Sequence, residues 1–554
     1  MTKIITEDPF IDELIHGDRK VSASLGSGSS AYDGASTTSA ELGMWAPPIM
    51  GADQELLPEK QIADARVRDI VRNDAYVANG IRIQQDGIVG EKFLLNSQPN
   101  YKVLGLDEVW AEEFQQEVEA KFTLWAESIE NYPDVTRTGT LTDLIRLIVG
   151  IHAMTGESLT AIEWLPDTGR PFNTAFQLID LDRLSNPNGE MDTRFLRRGV
   201  KRNRYGAPIG YYIREAASPY LYDGDFDWKY VPKYKRWGRL QMLHIYDQYR
   251  PDQSRGVSML LSALKETKMG KRFRDVTLQN AVLNASFAAS MESDLPPEVA
   301  IAQAGGDDRL AVNRYATEYL SAIAEYTGGA RNMRIDGVKI PVFFPGTKLK
   351  MQPVGTPGGV GSKFEDSLLR YTAAALNVSY SEFSKNYAEA NYGNIRAELA
   401  STERRMRVQK RQTADRAATH FYALWLEEAL NRGEITSMPR NAPDFYQGLN
   451  KEAYIECSWI GASMGQIDEL KETQAAVLRL NNGLSTREQE AARQGKDWRT
   501  MFRQLEREQK EAERLGLVFG ADKNSKNMMN AANGTPSEEG AKPRSETKEE
   551  SGDE

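Results

Sequence analysis

The chain has 554 residues, enough for about three or four domains. Apolar residues make up 40% and charged residues 27%, and the formal net charge is −10; an acidic total argues against a protein that wraps nucleic acid over its whole surface but leaves room for local basic rings. The one cysteine, Cys457, excludes an intramolecular disulfide and suits a reducing compartment.

The N-terminal "MTKIITEDPFIDEL" has no secretory apolar core, so the expectation is a soluble protein made in a cytoplasm. Residues 18–45 are rich in Ser, Gly and Ala and read as part of a flexible arm over 1–57. The arm holds a formal G-x-G-x-x-A at Gly26 to Ala31. No strand precedes it and no helix follows, so a dinucleotide site is not supported. From about 58 the period turns helical, with Ile62, Ala65, Val67, Ile70 and Val71 on one face. The stretch "VWAEEFQQEVEAKFTLWAESI" predicts an amphipathic helix. "SLTAIEWL", "AFQLIDLDRLS", "IGYYIRE" and "LQMLHIYD" predict strands, with a turn at "NRYGAP". The run "LTDLIRLIVGIHAMTGESL" is broken by Asp143, Arg146 and His152 and does not reach a membrane span. Residues 58–256 thus form an α+β region. Within it, Asp180 and Asp182 would share one face of a strand and could bind a cation, or could simply be a solvated strand end. "WKYVPKYKRWGR" (228–239) mixes cations with aromatics, which suits nucleic-acid contact, a hairpin edge or a subunit interface.

Residues 257–292 predict one long helix of about 54 Å at 1.5 Å per residue. Its first half is basic (Lys265, Lys268, Lys271, Arg272, Arg274) and its second half is rich in small residues. A small α/β insert over 293–361 follows, with a helix near 309–326 and strand-like "VKIPVFF" and "LKMQPV". It ends in "GTPGGVGSK", which departs from the Walker A order and reads as a hinge. A second helix over 362–378 leads to a polar loop, 379–394, and then to a long helix at about 395–432. Arg404, Arg405, Arg407, Lys410 and Arg411 on that helix could meet phosphates or acids of a neighbouring helix. Residues 440–465 return to strand character, with Cys457 as a buried structural thiol. Charged helices over 466–518 turn at "NNGLST", and 519–554 has a disordered composition.

Gly461-Ala-Ser463-Met-Gly465 fits the G-x-S-x-G nucleophile elbow. That fold needs a histidine after the serine, and all four histidines (His16, His152, His244, His420) precede it. A turn between strand and helix is the plain alternative. There is no H-E-x-x-H, paired C-x-x-C or EF-hand loop, so neither a metal nor a cofactor is expected.

Seven ordered stretches resemble the portal proteins of tailed phages, specifically the lambda-like portal family: "ARVRDIVRNDAYVANGIRIQQDGIVGEKF", "TGESL", "FQLIDLDRL", "GVKRNRYGAPIGYYI", "LHIYDQYRPDQSRGVSMLLSAL", "LRYTAAALNVSYSEFSKNYAEANYGNIRAEL" and "GLSTREQEAARQGKDW". They cover most of residues 60–505. The chain departs from the family pattern at Asp252, Ser258 and Gly393-Asn394. The resemblance implies an α+β, multi-domain portal fold: wing (58–256), stem helices (257–292 and 362–378), clip (293–361), tunnel loop (379–394), a long helix returning to the wing (395–465) and a helical crown (466–518). It further implies a twelve-subunit ring at one capsid vertex of the virion, through which double-stranded DNA passes without sequence readout. The implied partners are the large terminase subunit, a head–tail connector and a capsid or scaffolding protein, with no membrane and no catalysis. Lys268, Lys271, Arg272, Lys385 and Asn386 become the candidate channel residues; facing a neighbouring subunit is the comparable reading for each. The competing functions are a serine hydrolase using Ser463 and a monomeric DNA-binding assembly scaffold.

Overall fold

The computed structural model describes residues 33–36, 39–40, 42–166, 169–215, 227–286, 317–318, 321, 332–335, 338–341, 361–388, 391–463 and 469–517. Two compact units divide the chain, residues 1–55 and 56–554. Most of the predicted arm and clip, the Gly26–Ala31 and "GTPGG" motifs, the "LKMQPV" stretch and the C-terminal tail lie outside the described residues.

The elements begin with α1 (Ala52–Asn73), α2 (Ala75–Ile88), β1 (Leu94–Ser97), α3 (Tyr101–Leu104), α4 (Glu108–Ala126) and α5 (Leu141–Thr155). Side-chain caps define several of these. Asp74 accepts from the N–H groups of Tyr76 and Val77 and separates α2 from α1. Thr140 and Asp143 form a capping box at the start of α5, and Gly156 ends that helix in the left-handed region. Then follow β2 (Glu157–Trp164), β3 (Thr174–Ile179), β4 (Leu196–Arg197), β5 (Val200–Arg202), β6 (Pro208–Arg214), β7 (Trp228–Pro232) and β8 (Met242–Tyr246). The four strand predictions in this stretch are all found. The sheets run β3-β2-β8 and β4-β5-β6-β7, antiparallel throughout.

The second half holds α6 (Leu264–Ser286), the hairpin β9 (Asn332–Ile335) and β10 (Val338–Pro341), α7 (Gly361–Leu376), α8 (Tyr380–Ser384), α9 (Tyr392–Gln412), α10 (Ala414–Asn431), α11 (Asn450–Tyr454), β11 (Cys457–Ile460), α12 (Glu469–Asn481), α13 (Arg487–Arg493) and α14 (Trp498–Leu515). The result is the expected mixed α+β chain, and several boundaries differ from the sequence reading. Helix α1 starts at Ala52, within the predicted arm. The segment expected as one helix over 257–292 opens with a 3-10 turn, Met259–Ala263, capped by Ser258, so its α-helix begins only at Leu264. The long helix breaks at Thr413, whose hydroxyl bonds the Gln409 carbonyl at 2.7 Å, a back-bond that bends helices. The polar loop begins as the helix α8 because Phe383 is fully buried. "AYIECSWI" is helix before it is strand, since Ala453 and Tyr454 close α11.

The main core joins α4, α5 and α10 around stacked and edge-on rings. Phe176 stacks on Phe421 at 3.9 Å, and Phe122 meets Trp425 edge-on at 5.2 Å. Strand β11 closes this core by pairing with β1 across most of the chain, Leu94 opposite Ile460. A second core lies between the two larger sheets, built from Leu159, Ile179, Val200, Tyr211, Ile213 and Met242.

Candidate functional site

The most densely charged buried group forms where α5 turns into β2. Gly156 has φ +79°, and a Cβ there would lie 2.1 Å from the Val257 carbonyl oxygen. Only glycine allows the two backbones to cross so closely. The crossing carries Glu157 fully into the interior. Arg255 grips it through Nε at 2.9 and 3.0 Å and through Nη2 at 2.8 Å. Lys60 stands 3.2 Å from Glu157 and 2.7 Å from Asp64. His244 Nε2–H donates at 2.9 Å and the Gly256 N–H at 3.0 Å. Burial alone would raise the Glu157 pKa, but Arg255 and Lys60 outweigh it and hold the carboxyl well below its usual range. Burial pushes His244 down, which keeps its imidazole neutral. Two carboxylates meet two cations, and every donor aimed at Glu157 is used. The cluster ties α1, β2, β8 and the 253–258 segment together; Glu157 is enclosed, while Lys60, Asp64 and Arg255 also line a cleft of about 450 Å³ with Asp182, Asp192 and Arg198.

The candidate channel residues fall in two groups. On α6, Lys268 faces Asp69 at 3.7 Å and Lys271 donates to the Asn73 carbonyl at 2.7 Å. Arg274 binds Asp74, the cap of α2. These side chains fasten α6 to the corner between α1 and α2. Arg272 is exposed and has no ion pair among the described residues. Lys385 and Asn386 follow α8; Lys385 takes φ +57° and both are exposed. Their loop is anchored from behind, because Asn79 donates to the carbonyls of Glu382 and Phe383 at 3.1 Å each. No hydrogen bond or ion pair joins the two groups among the described residues.

The other candidates resolve plainly. Asp180 and Asp182 are not on a strand: β3 ends at Ile179, Asp180 caps a 3-10 turn, and Arg68 lies 3.8 Å from one carboxylate and 2.8 Å from the other. On α9, Arg407 pairs with Glu403 on its own helix, and Lys410 reaches Asp415 at 2.5 Å and the Trp459 carbonyl at 2.8 Å. Ser463 is exposed beside a cleft of about 450 Å³ lined by Arg407, Lys410, Trp459, Gln489 and Arg493, among others, with no histidine or carboxylate. The elbow therefore has no general base among the described residues, and its strand belongs to a two-stranded antiparallel sheet. Burial pushes the Cys457 thiol up to about 11, as suits a structural rather than a reactive thiol.

The sequence profile of "Phage portal protein, lambda family" matches residues 38–410. Portal protein B of Escherichia phage lambda is 35% identical over 486 residues, covering 88% of this chain and 90% of that protein. The chain belongs to the lambda family of phage portal proteins. The portal protein of Escherichia phage N15 is likewise 35% identical, over 85% of this chain and 88% of its own length. A chain from the neck of an empty gene transfer agent particle aligns with this portal chain at a TM-score of 0.38 and 12% identity, covering 78% of this chain and 93% of its own.

The buried Glu157 group had no assigned role in the sequence reading, although "TGESL" and "QSRGV" both carried the resemblance. Its signal was a charged residue directly after a glycine and before an apolar strand, with a histidine inside a second apolar strand. Charges in such positions need partners, and the partners lie about 100 residues apart in sequence, where local periodicity does not reach. No helix among the described residues is long and apolar enough to cross a membrane.

Proposed function

We propose that this portal protein closes into a twelve-fold ring with no enzymatic role, set at one capsid vertex of the virion, with double-stranded DNA passing through the opening during packaging and ejection. The large terminase subunit docks at the clip (293–361), and a head–tail connector and a capsid or scaffolding protein bind the outside. Residues 58–256 act as the wing, 257–292 and 362–378 as the stem, 379–394 as the tunnel loop, and 466–518 as the crown. The observation that carries this reading is family membership across residues 38–410, a span that includes both stem helices.

The stem supports it. Met269, Val276, Leu278 and Val282 on α6, and Phe364 and Tyr371 on α7, are each about half exposed or more in the single chain. Apolar surface on that scale marks an interaction site. Head-to-tail packing around an axis covers such faces and closes the set. Because Lys268 and Lys271 already have partners within the chain, Arg272, Lys385 and Asn386 remain the channel residues. One cation repeated in every subunit gives a ring of charge that meets phosphates without reading bases.

Purified protein should run near twelve times 62.1 kDa and show a central opening by negative-stain imaging. Compact particles of 62.1 kDa without an opening would overturn the reading. Rings of Arg272→Glu/Lys385→Glu should assemble normally and package less DNA; unchanged packaging would remove these residues from the channel.

A further inference from the structure

The sheet β4-β5-β6-β7 has two ends of opposite character. One face packs on the second core through Val200, Tyr211 and Ile213. The other face carries Tyr230, whose ring lies across Gly210: a Cβ at Gly210 would sit 2.4 Å from the Tyr230 hydroxyl. Lys201 Nζ stands 4.9 Å from the Tyr230 ring, and Tyr212 packs beside it at 5.1 Å. Toward the Pro208 end two turns add to this platform. The β5–β6 turn presents Arg204 over Tyr205 at 4.5 Å, and the turn after β7 presents Lys233 over Tyr234 at 5.3 Å. Tyr205 is 77% exposed and Trp237, beside the exposed Arg236, is 65% exposed. Lys201, Arg204, Lys233, Lys235 and Arg236 have no ion pair among the described residues, in a chain whose net charge is −10. Exposed tyrosine, tryptophan and arginine are side chains enriched in protein interfaces, and a cation over a ring adds an attraction that strengthens as water is excluded.

The connection between the opposite ends of β6 and β7 is acidic in sequence. Strand β6 stops at Arg214 and β7 starts at Trp228, and the ladder continues outward through the Glu215 N–H to the Asp227 carbonyl at 2.8 Å. Between these anchors residues 216–226 read "AASPYLYDGDF"; with Glu215 and Asp227 the connection contains four carboxylates, no cation and three aromatics. Its two anchors stand about 17 Å along the sheet from the basic end, at about 3.3 Å per strand residue.

We propose that the basic, aromatic end of this sheet is the docking surface for the acidic 216–226 segment of a neighbouring copy of the chain. The proposal rests on the ring reading above. Each subunit offers one such segment and receives one, which is the heterologous arrangement a closed ring requires. The charges steer and register the approach, and the rings of Tyr230, Tyr234 and Trp237 supply contact area against Tyr220, Tyr222 and Phe226.

Charge reversal tests it. Lys233→Glu/Lys235→Glu/Arg236→Glu should lower the ring fraction about tenfold at fixed concentration, read by native mass measurement, and so should Asp223→Lys/Asp225→Lys/Asp227→Lys. An equimolar mixture of the two variants should recover rings, because alternating subunits restore opposite charges at every contact. Zero-length carboxyl–amine cross-linking of wild-type rings assembled from ¹⁴N and ¹⁵N protein is independent of any variant's folding. It should join Lys233 or Lys235 to Asp223 or Asp225 in mixed-isotope pairs. Unchanged rings in both variants, no recovery on mixing, or cross-links only within one isotope would each overturn the proposal while leaving the ring reading intact. Rings that persist while the first variant loses binding to a 30-base-pair duplex would overturn it in favour of nucleic acid. Wild-type protein that forms no ring would remove both readings.

Discussion

The core around α4, α5 and α10 and the three C-terminal helices α12, α13 and α14 follow opposite rules. In the first region Phe122, Phe176, Phe421 and Trp425 are buried to 2% exposure or less, and even the charged Glu157 is fully buried. In the second, the hydrophobic residues that are buried are Ala491 and Ala512, while Leu470, Leu478, Leu484, Leu505, Leu515 and Leu517 are all more than half exposed. The first region satisfies itself within one chain. The second leaves apolar faces of its helices uncovered within the single chain.

The largest effects should come from breaking the self-satisfied region. Glu157→Ala leaves Lys60 and Arg255 buried without their shared carboxylate, and removing one partner of a buried ion group costs about 3–5 kcal/mol. Chemical denaturation of the dissociated chain should show that loss, and Glu157→Gln should recover only part of it because the charge is still missing. A midpoint unchanged in both variants would mean the group is not a clasp. Trp425→Ala should cost a similar amount, about 3–5 kcal/mol, through the cavity it leaves among Phe122, Trp125 and Phe172.

A smaller, pH-dependent effect sits where the two regions meet. Glu119 on α4 accepts from the Ser97 N–H at 2.8 Å and from Gln115 at 2.9 Å, with Arg499 of α14 at 3.8 Å. Arg499 also donates to Gln115, and Asn96 to Glu488 of α13, so the joint is polar. Burial pushes the Glu119 carboxyl up to about 7. Its folded pKa therefore lies above the unfolded value of 4.5, so the stability it contributes is complete below 4.5 and lost as pH rises through about 7. His420 works the other way: burial pushes it down to about 4, so its contribution is present above 6.5 and lost as pH falls. The difference between Glu119→Gln and the unaltered chain isolates the carboxyl. It should be near zero at pH 4 and favour the variant by about 1–3 kcal/mol at pH 8. A flat difference across that range would show that Arg499 already keeps Glu119 ionised.

Much of the fold was legible because it is local. The strands at 157–164, 174–179, 208–214 and 242–246 announce themselves by apolar and β-branched runs, and α4 by its period. What escaped was set by single side chains acting on the backbone or across long separations. Thr413 ends a helix whose composition continues unbroken. Ser258 delays the start of α6 by capping a 3-10 turn. Phe383 pulls a polar loop into a helix by filling the space beside Gly80. Among the site residues, basic character was visible at Lys268 and Lys271, but the groups they bind, Asp69 and the Asn73 carbonyl, lie about 200 residues earlier in the chain. A cation's sequence neighbourhood says that it is charged; only the fold says whether that charge is already spent inside the subunit.

The smallest effects belong to the exposed region, and they test the comparison most sharply. Leu505→Ala on α14 removes a side chain that is 54% exposed in the single chain, so it should move the denaturation midpoint of the dissociated chain by no more than about 0.5 kcal/mol. The same substitution should matter only when subunits assemble, as a lower ring fraction at low protein concentration. Ser463→Ala is the matched control: an exposed hydroxyl with no base beside it among the described residues should leave stability, ring fraction and esterase background all unchanged. If Leu505→Ala cost as much in the isolated chain as Trp425→Ala, α14 would already be packed within its own subunit, and the contrast between the two regions would collapse.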